Sequence, residues 1–332
     1  MSSGRPLFIL VGRDAMVNRN LAWALEREKG LRIRRQVRMW IWAYGFMAPS
    51  LILFALIVLY PSMEAFRLSL YRWSLFGEKE FVGLANYQRM VRDPLFWQSL
   101  KVTCIWTLGV VPWVMVLGML TALALNQPWL PGRGVFRTIY FVPVMTSVVA
   151  SAFVWRWLFE PTFGVVNWIL RQIGIVDPPG WLASTTWALP ALMTAGIWKQ
   201  VGYAMVLFLA GLQTIPRELR EAAEIDGANP WQIFWHVTLP LLNPTVVFVA
   251  VILVINAFRV FSIPYVMTSG GFTYLTPGGP LNSTRVFVLH IYDLAWKQFD
   301  FGYGAANAIV LLLMIMTVTL IQLRILQRPF EY

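Results

Sequence analysis

Six apolar runs recur along this chain, at about 40–62, 103–125, 138–159, 187–212, 245–267 and 304–323. A hydrocarbon core of about 30 Å takes roughly 20 helical residues to cross, so each run reads as one membrane span. Runs of this kind leave little choice of fold, because backbone N–H and C=O groups in lipid must be satisfied internally. The expected fold class is an all-α membrane protein with six transmembrane helices. Composition agrees: of 332 residues 58% are hydrophobic and 13% charged, about half the charge of ordinary soluble domains.

The charge that remains is unevenly placed. Residues 1–38 hold nine Lys/Arg and three acids, with "RIRRQVR" at 32–38 beside the first span. The positive-inside rule puts that segment in the cytoplasm, and six spans return "QLRILQRPFEY" to the same side. We therefore expect a basic N-terminal extension over 1–38, a transmembrane domain over 39–326 and a short cytoplasmic tail over 327–332. The net charge of +11 is accounted for by topology and anionic membrane lipid, with no nucleic-acid partner. "PLFILVG" at 6–12 is too short to span and lacks a small-residue cleavage site, so it does not read as a cleaved leader. Cys104, the only cysteine, lies in the second span and excludes an internal disulfide or a cysteine metal cluster. Between spans, 63–101 reads as an outer polar segment with an interfacial helix, "NQPWLPGRG" at 126–134 as an inner turn, and 160–186 as an outer re-entrant or surface loop.

The inner loop at about 214–243 carries the densest set of local signals. Pro216 suits the first turn of a helix, and Gly227 suits its left-handed end. Asn229 is then placed to cap a second helix, with Pro230 at its first position and Gln232 at capping-box spacing. Asn243-Pro244 repeats that start for the fifth span. On the first short helix Leu219, Ala222, Ala223 and Asp226 share one face, and the alanines leave a shallow surface that another backbone could approach. Two basic and four acidic residues make a lipid-binding role unattractive and a basic protein partner the natural one. The plainer alternative is a hairpin that only connects two spans.

The stretch "EAAEIDGANPWQIFWHVTLP" at 221–240 also carries a family signature: Glu221, Ala222, Ala223, then Gly227, then Val237, Leu239 and Pro240. It resembles the coupling loop of membrane subunits of binding-protein-dependent ABC importers. "FVGLANY", "FEPTFGVVN", "INAFRVFSIPYVMTSGG" and "FGYGAANAIVLLLMIM" resemble the carbohydrate branch, both the larger maltose-type subunit and the glycerol-phosphate type. The resemblance covers nearly all of 40–325. It implies the type I ABC importer permease fold in a bacterial or archaeal inner membrane. It further implies a second homologous permease subunit, a dimer of ATPase subunits, and a periplasmic or lipid-anchored solute-binding protein. The coupling residues it points to are Glu221, Ala222, Ala223, Asp226, Gly227, Leu239 and Pro240. No G-x-x-x-x-G-K-[ST] loop is present, so no cofactor is expected on this chain; ATP and Mg belong to the partner ATPase. An eleven-residue coupling helix would be a lever about 16 Å long.

Three basic residues fall inside spans: Arg156, Lys199 and Arg259. A charge near the bilayer centre costs at least ~2.5 kcal/mol, so such residues usually face a bundle interior or water. Arg156 stands near the outer end of its span, where it can snorkel; Lys199 and Arg259 lie deeper and suit either a polar cavity or a neighbouring subunit. The resemblance to the maltose-type subunit points to Trp198, Val201, Gly202 and Met205 on the fourth span and Asn256 and Arg259 on the fifth as the substrate path, with Lys199 beside them. The alternative for Trp198 and Met205 is helix packing. Arg259 with Lys199 would suit an anionic cargo such as a uronide, glycerol 3-phosphate or its diesters. The segment 269–284, with two Gly-Gly pairs, would suit contact with an external binding protein. An integral membrane enzyme acting on lipid or glycan is the contrasting reading, but His236 and His290 are expected on opposite sides of the membrane and so cannot share one site.

Overall fold

The computed structural model describes residues 36–75, 77–127, 129–269 and 276–326. The basic extension before residue 36 and the tail 327–332 lie outside the described residues, as does 270–275 of the long outer loop. The chain divides into two compact units at Glu64/Ala65. The first, as described, is the larger part of one apolar helix, α1 (Gln36–Ser69), with a π-helical turn at Ala55–Leu59. None of the apolar window of α1 is buried within the chain.

The second unit holds the remaining elements. A two-stranded ribbon, β1 (Tyr71–Arg72) and β2 (Glu80–Phe81), pairs antiparallel. It is followed by the surface helix α2 (Ala85–Arg92), in the segment where an interfacial helix is expected. Helix α3 (Pro94–Leu125) starts at the Asp93-Pro94 pair, whose carboxylate accepts from the Leu95 N–H at 2.8 Å. Its 32 residues make a rod of about 48 Å, longer than the expected second span by its whole first third. Next come α4 (Arg133–Met145), α5 (Val148–Leu158), the loop helix α6 (Val165–Gln172) and the long helix α7 (Ala188–Gln213). The hairpin between the fourth and fifth spans is α8 (Arg217–Ile225) and α9 (Pro230–Leu241). After it run α10 (Asn243–Phe258), α11 (Ser262–Thr268), α12 (Phe287–Tyr292) and α13 (Phe301–Leu326).

Four helices are long and apolar enough to cross a membrane, and two bent pairs bring the total to six if each pair is one span. The six-span expectation holds in that form, with two corrections. The third span is not one rod over 138–159: α4 and α5 meet at 98°, because Thr146 and Ser147 take extended ψ values of 153° and 133°. The fifth span is shorter than 245–267, since α10 stops at Arg259 and α11 is a separate helix. Asn243 does not repeat the cap. Its amide instead donates to the Leu326 carbonyl at 3.1 Å, tying α10 to the end of α13.

The core is the seam between α3 and α7, with α10 packed against both helices and α13 behind α10. Trp106, Val110 and Val114 on α3 are buried at helical spacing, and Leu192, Met205 and Phe208 on α7 are fully buried. These seams carry little charge, as expected where van der Waals packing holds helices together in lipid.

Candidate coupling loop and translocation path

The α8–α9 hairpin is built by its caps. Pro216 is the residue before α8, one position earlier than expected, with φ −58° and ψ 135°. At the other end Gly227 has φ +81°. Its N–H bonds the Glu224 carbonyl at 3.1 Å while the Ala228 N–H bonds that of Ala223 at 3.0 Å. That pair is the Schellman closure, and it needs a left-handed residue where a glycine stands. Asn229 accepts from the Gln232 N–H at 2.9 Å, and the Gln232 side chain accepts from the Asn229 N–H at 2.8 Å, a complete capping box. Two reciprocal turns thus fix the angle between α8 and α9. With nine residues, α8 is a lever of about 14 Å, two residues shorter than the eleven expected.

No residue of α8 is buried. Glu221, Ala222 and Asp226 are exposed and Ala223 half-buried, and Ile225 is 86% exposed. Arg220 and Glu224 pair along the surface at 3.1 Å, a bond worth little in water. The hairpin is held to the bundle through α9, where Ile233 is buried and Leu239 and Pro240 are half-buried. Helix α9 carries a π-helical stretch at Phe234–Thr238 and turns by 69° into α10. His236 is exposed, its Nδ1 3.0 Å from the Gln232 carbonyl. A groove of about 760 Å³ opens beside α9, lined by Met119, Phe208, Trp231, Trp235 and Val246 among others.

The path residues divide into two groups. Trp198 is 41% exposed, and Asn256 and Arg259 are open to the surface as well. Arg259 ends α10, and among the described residues no hydrogen bond or ion pair holds its guanidinium. Val201, Gly202 and Met205 are buried, Met205 completely. Any side chain at 202 would run into the Tyr140 carbonyl. By spacing all four α7 residues share one face, which is open at Trp198 but from Val201 onward is turned toward the chain's own bundle, so a sugar does not reach Val201, Gly202 or Met205 in this conformation. Lys199 donates to oxygens at 143–146, most of them backbone carbonyls. Arg156, half-buried near the end of α5, donates to the Ser269 carbonyl at 2.7 Å. No described hydrogen bond, ion pair or ring contact joins the α7 residues to Asn256 or Arg259; Trp198 instead meets Trp155, with centroids 5.8 Å apart.

One cluster was not foreseen from the sequence, where His290 alone of its members is named. Arg285 and Asp293 pair at 2.8 Å with side chains 9% and 7% exposed. His290, 1% exposed, lies between Arg285 and Asp93, its Nδ1 3.4 Å from the guanidinium and its Nε2 3.9 Å from the carboxylate. Burial, and then the Arg285 charge, pull the imidazole down to about 4 against the opposing pull of Asp93 and Asp293. Asp93 also accepts from the Tyr303 hydroxyl at 2.8 Å, and Arg89 lies 4.0 Å over the Tyr303 ring while pairing with Asp300 at 2.6 Å. Arg285, His290 and Asp293 are near neighbours in the chain, but Asp93 and Arg89 reach partners some 200 residues away, so spacing alone could not join the two groups. In the loop after α5, burial raises the Glu160 carboxyl, but hydrogen bonds from Thr162 and Phe163 outweigh it and leave it below its ordinary value.

Known proteins resemble this chain over most of its length. The family described as "Binding-protein-dependent transport system inner membrane component" matches residues 114–330. The trehalose/maltose transport system permease protein MalF of Thermococcus litoralis is 37% identical over 283 residues, covering 85% of this chain and 92% of that one. The sulfoquinovosyl glycerol transport system permease protein SmoG of Agrobacterium fabrum is 35% identical over 283 residues, covering 85% and 89%. Among solved structures, a chain of a bacterial ABC transporter involved in the import of the acidic polysaccharide alginate superposes with a TM-score of 0.74 at 23% identity, over 89% of this chain and 100% of that one. That likeness makes the fold the type I ABC importer permease fold.

Proposed function

We propose, from the premise that this chain belongs to the family of binding-protein-dependent transport system inner membrane components, that it forms one side of the path of an ATP-driven importer of sugars or oligosaccharides. The chain is a membrane-spanning permease subunit like its relatives. ATP hydrolysis falls to a separate ATPase dimer on the inner side, substrate delivery to an external solute-binding protein, and the other side of the path to a second, related permease. The N-terminal and C-terminal ends then lie in the cytoplasm, on the side of the α8–α9 hairpin.

The observation that carries the mechanism is α8. It is a helix closed at its C-terminal end by the Gly227 turn, with no side chain buried in its own bundle, so its contact face is free for another subunit. An ATPase that contacts α8 differently in its open and closed states shifts the inward-facing and outward-facing populations by that difference. Glu221, Ala222, Ala223 and Asp226 form the contact, Gly227 sets its angle, and Leu239 and Pro240 transmit the pull to α10. Gly227→Leu puts a β-carbon on a left-handed residue, costing about 1–2 kcal/mol, and tilts the helix. We expect this variant, and Glu221→Lys, to insert normally, to lose the ATPase on co-purification and to lose ATP-driven uptake. Retention of the ATPase by Gly227→Leu at unchanged transport sinks the reading.

Trp198 and Asn256 supply a ring for the apolar face of a sugar and an amide for its hydroxyls. A second reading, an anionic cargo such as a uronide, glycerol 3-phosphate or its diesters, is favoured by one observation: Arg259 is exposed with no described partner. That SmoG is named for sulfoquinovosyl glycerol keeps a glycerol-linked sugar within the same reading. The membrane-enzyme alternative has no support in the family.

A further inference from the structure

A positive charge inside a span has to be accounted for, and the oxygens around Lys199 account for it. The ammonium donates to the Pro143 carbonyl in a short bond, to the Thr146 carbonyl at 2.5 Å, to the Thr146 hydroxyl at 3.3 Å and to the Val144 carbonyl at 3.5 Å. All four acceptors lie where α4 ends and the chain turns by 98° into α5. The last helical bond of α4 runs from the Thr146 N–H to the Val142 carbonyl at 3.2 Å, so the carbonyls of Pro143 and Val144 come after it. The Pro143 carbonyl also accepts from the Thr146 hydroxyl at 2.7 Å, but the Val144 and Thr146 carbonyls depend on the ammonium, and bare carbonyls are costly at membrane depth. They are also the negative pole of the helix, where a cation is favoured. One turn further along α7, Gly202 lets the helix touch the Tyr140 backbone. Helix α7 thus meets α4 at two levels, backbone to backbone at 202 and through a charge at 199.

The elbow sets the direction of α5. This helix carries Trp155, which lies edge-on to Trp198 at 5.8 Å, and Arg156, which donates to the Ser269 carbonyl beyond α11. Thr146 and Ser151 share a hydroxyl contact at 2.9 Å across the bend.

We propose that Lys199 is a positioning residue that clamps the elbow of the third span, satisfying the carbonyls released by the α4–α5 bend and so fixing the angle at which α5 holds Trp155 beside Trp198. Its charge is spent on the backbone of its own chain and not on the cargo. The clamp stands independently of what is transported, and its test needs neither substrate nor partner.

The full chain in lipid nanodiscs, with Cys104→Ser and nitroxide labels at Val135→Cys on α4 and Trp157→Cys on α5, reports the distance across the elbow; both sites are more than half exposed. We expect one narrow distance distribution with Lys199, one about twice as wide with Lys199→Met because bare carbonyls no longer favour a single bend, and a narrow one again with Lys199→Arg, which keeps charge and donors. A Lys199→Met distribution matching the original overturns the clamp. So does a Lys199→Arg distribution as wide as that of Lys199→Met. Should Lys199→Met fail to accumulate in the membrane, Lys199→Gln, with one amide donor group, is expected to give an intermediate width, and an unchanged width overturns the proposal equally.

Discussion

Trp198 and Met205 stand two turns apart on one helix and have opposite surroundings. Trp198 is partly open beside Trp155, whereas Met205 is fully enclosed. Met205→Ala should therefore open a cavity and cost about 2–5 kcal/mol, read as a drop in thermal unfolding temperature with cargo affinity unchanged, while Trp198→Ala should weaken cargo binding and leave stability nearly intact. If Met205→Ala weakened binding at unchanged stability, the division of the α7 face would be wrong. His290 gives the pH dependence. Its folded value of about 4 lies below its ordinary 6.5, so between those values the unfolded chain binds the proton more readily. Stability is full above pH 6.5 and falls as pH drops toward 4, by about 3 kcal/mol in all. Unfolding of the wild type in detergent should lose more temperature between pH 7.5 and 4.5 than that of His290→Gln; parallel curves for the two would remove the buried imidazole as the cause.

At the scale of elements, the α8–α9 hairpin was legible because every part of it is local. A left-handed glycine, an Asn cap and a Gln three residues on each act within one turn, so spacing alone carries them. Asn229→Ala should cost about 1 kcal/mol of helix start and raise amide exchange at residues 231–233 with little change in α8; equal exchange in both forms would mean that the box does not hold α9. The α4–α5 elbow was not legible. Its run of apolar residues looks continuous, and the group that lets it bend, the Lys199 ammonium, comes from another helix more than 50 residues away.

For the whole molecule, proteoliposomes holding this chain with its permease partner, ATPase and solute-binding protein should accumulate cargo only with ATP and the ATPase present; uptake without them would mark a passive channel. Within that system Arg259→Met should reduce uptake of an acidic sugar roughly tenfold or more, a loss of about 1.4 kcal/mol or more, and leave a neutral one little changed. Equal loss of both would make Arg259 structural. By itself the sequence determined that this chain is a membrane protein built on helices, with a hairpin of helix, glycine, helix, because hydropathy over about 20 residues and cap chemistry over three or four are properties of neighbours in the chain. Only the tertiary structure decided which side of α7 is core, that Lys199 serves α4, and that Asp93, His290, Arg285 and Tyr303 form one cluster. Those choices rest on contacts between helices far apart in sequence, where one face of a helix can be told from another only by what packs against it.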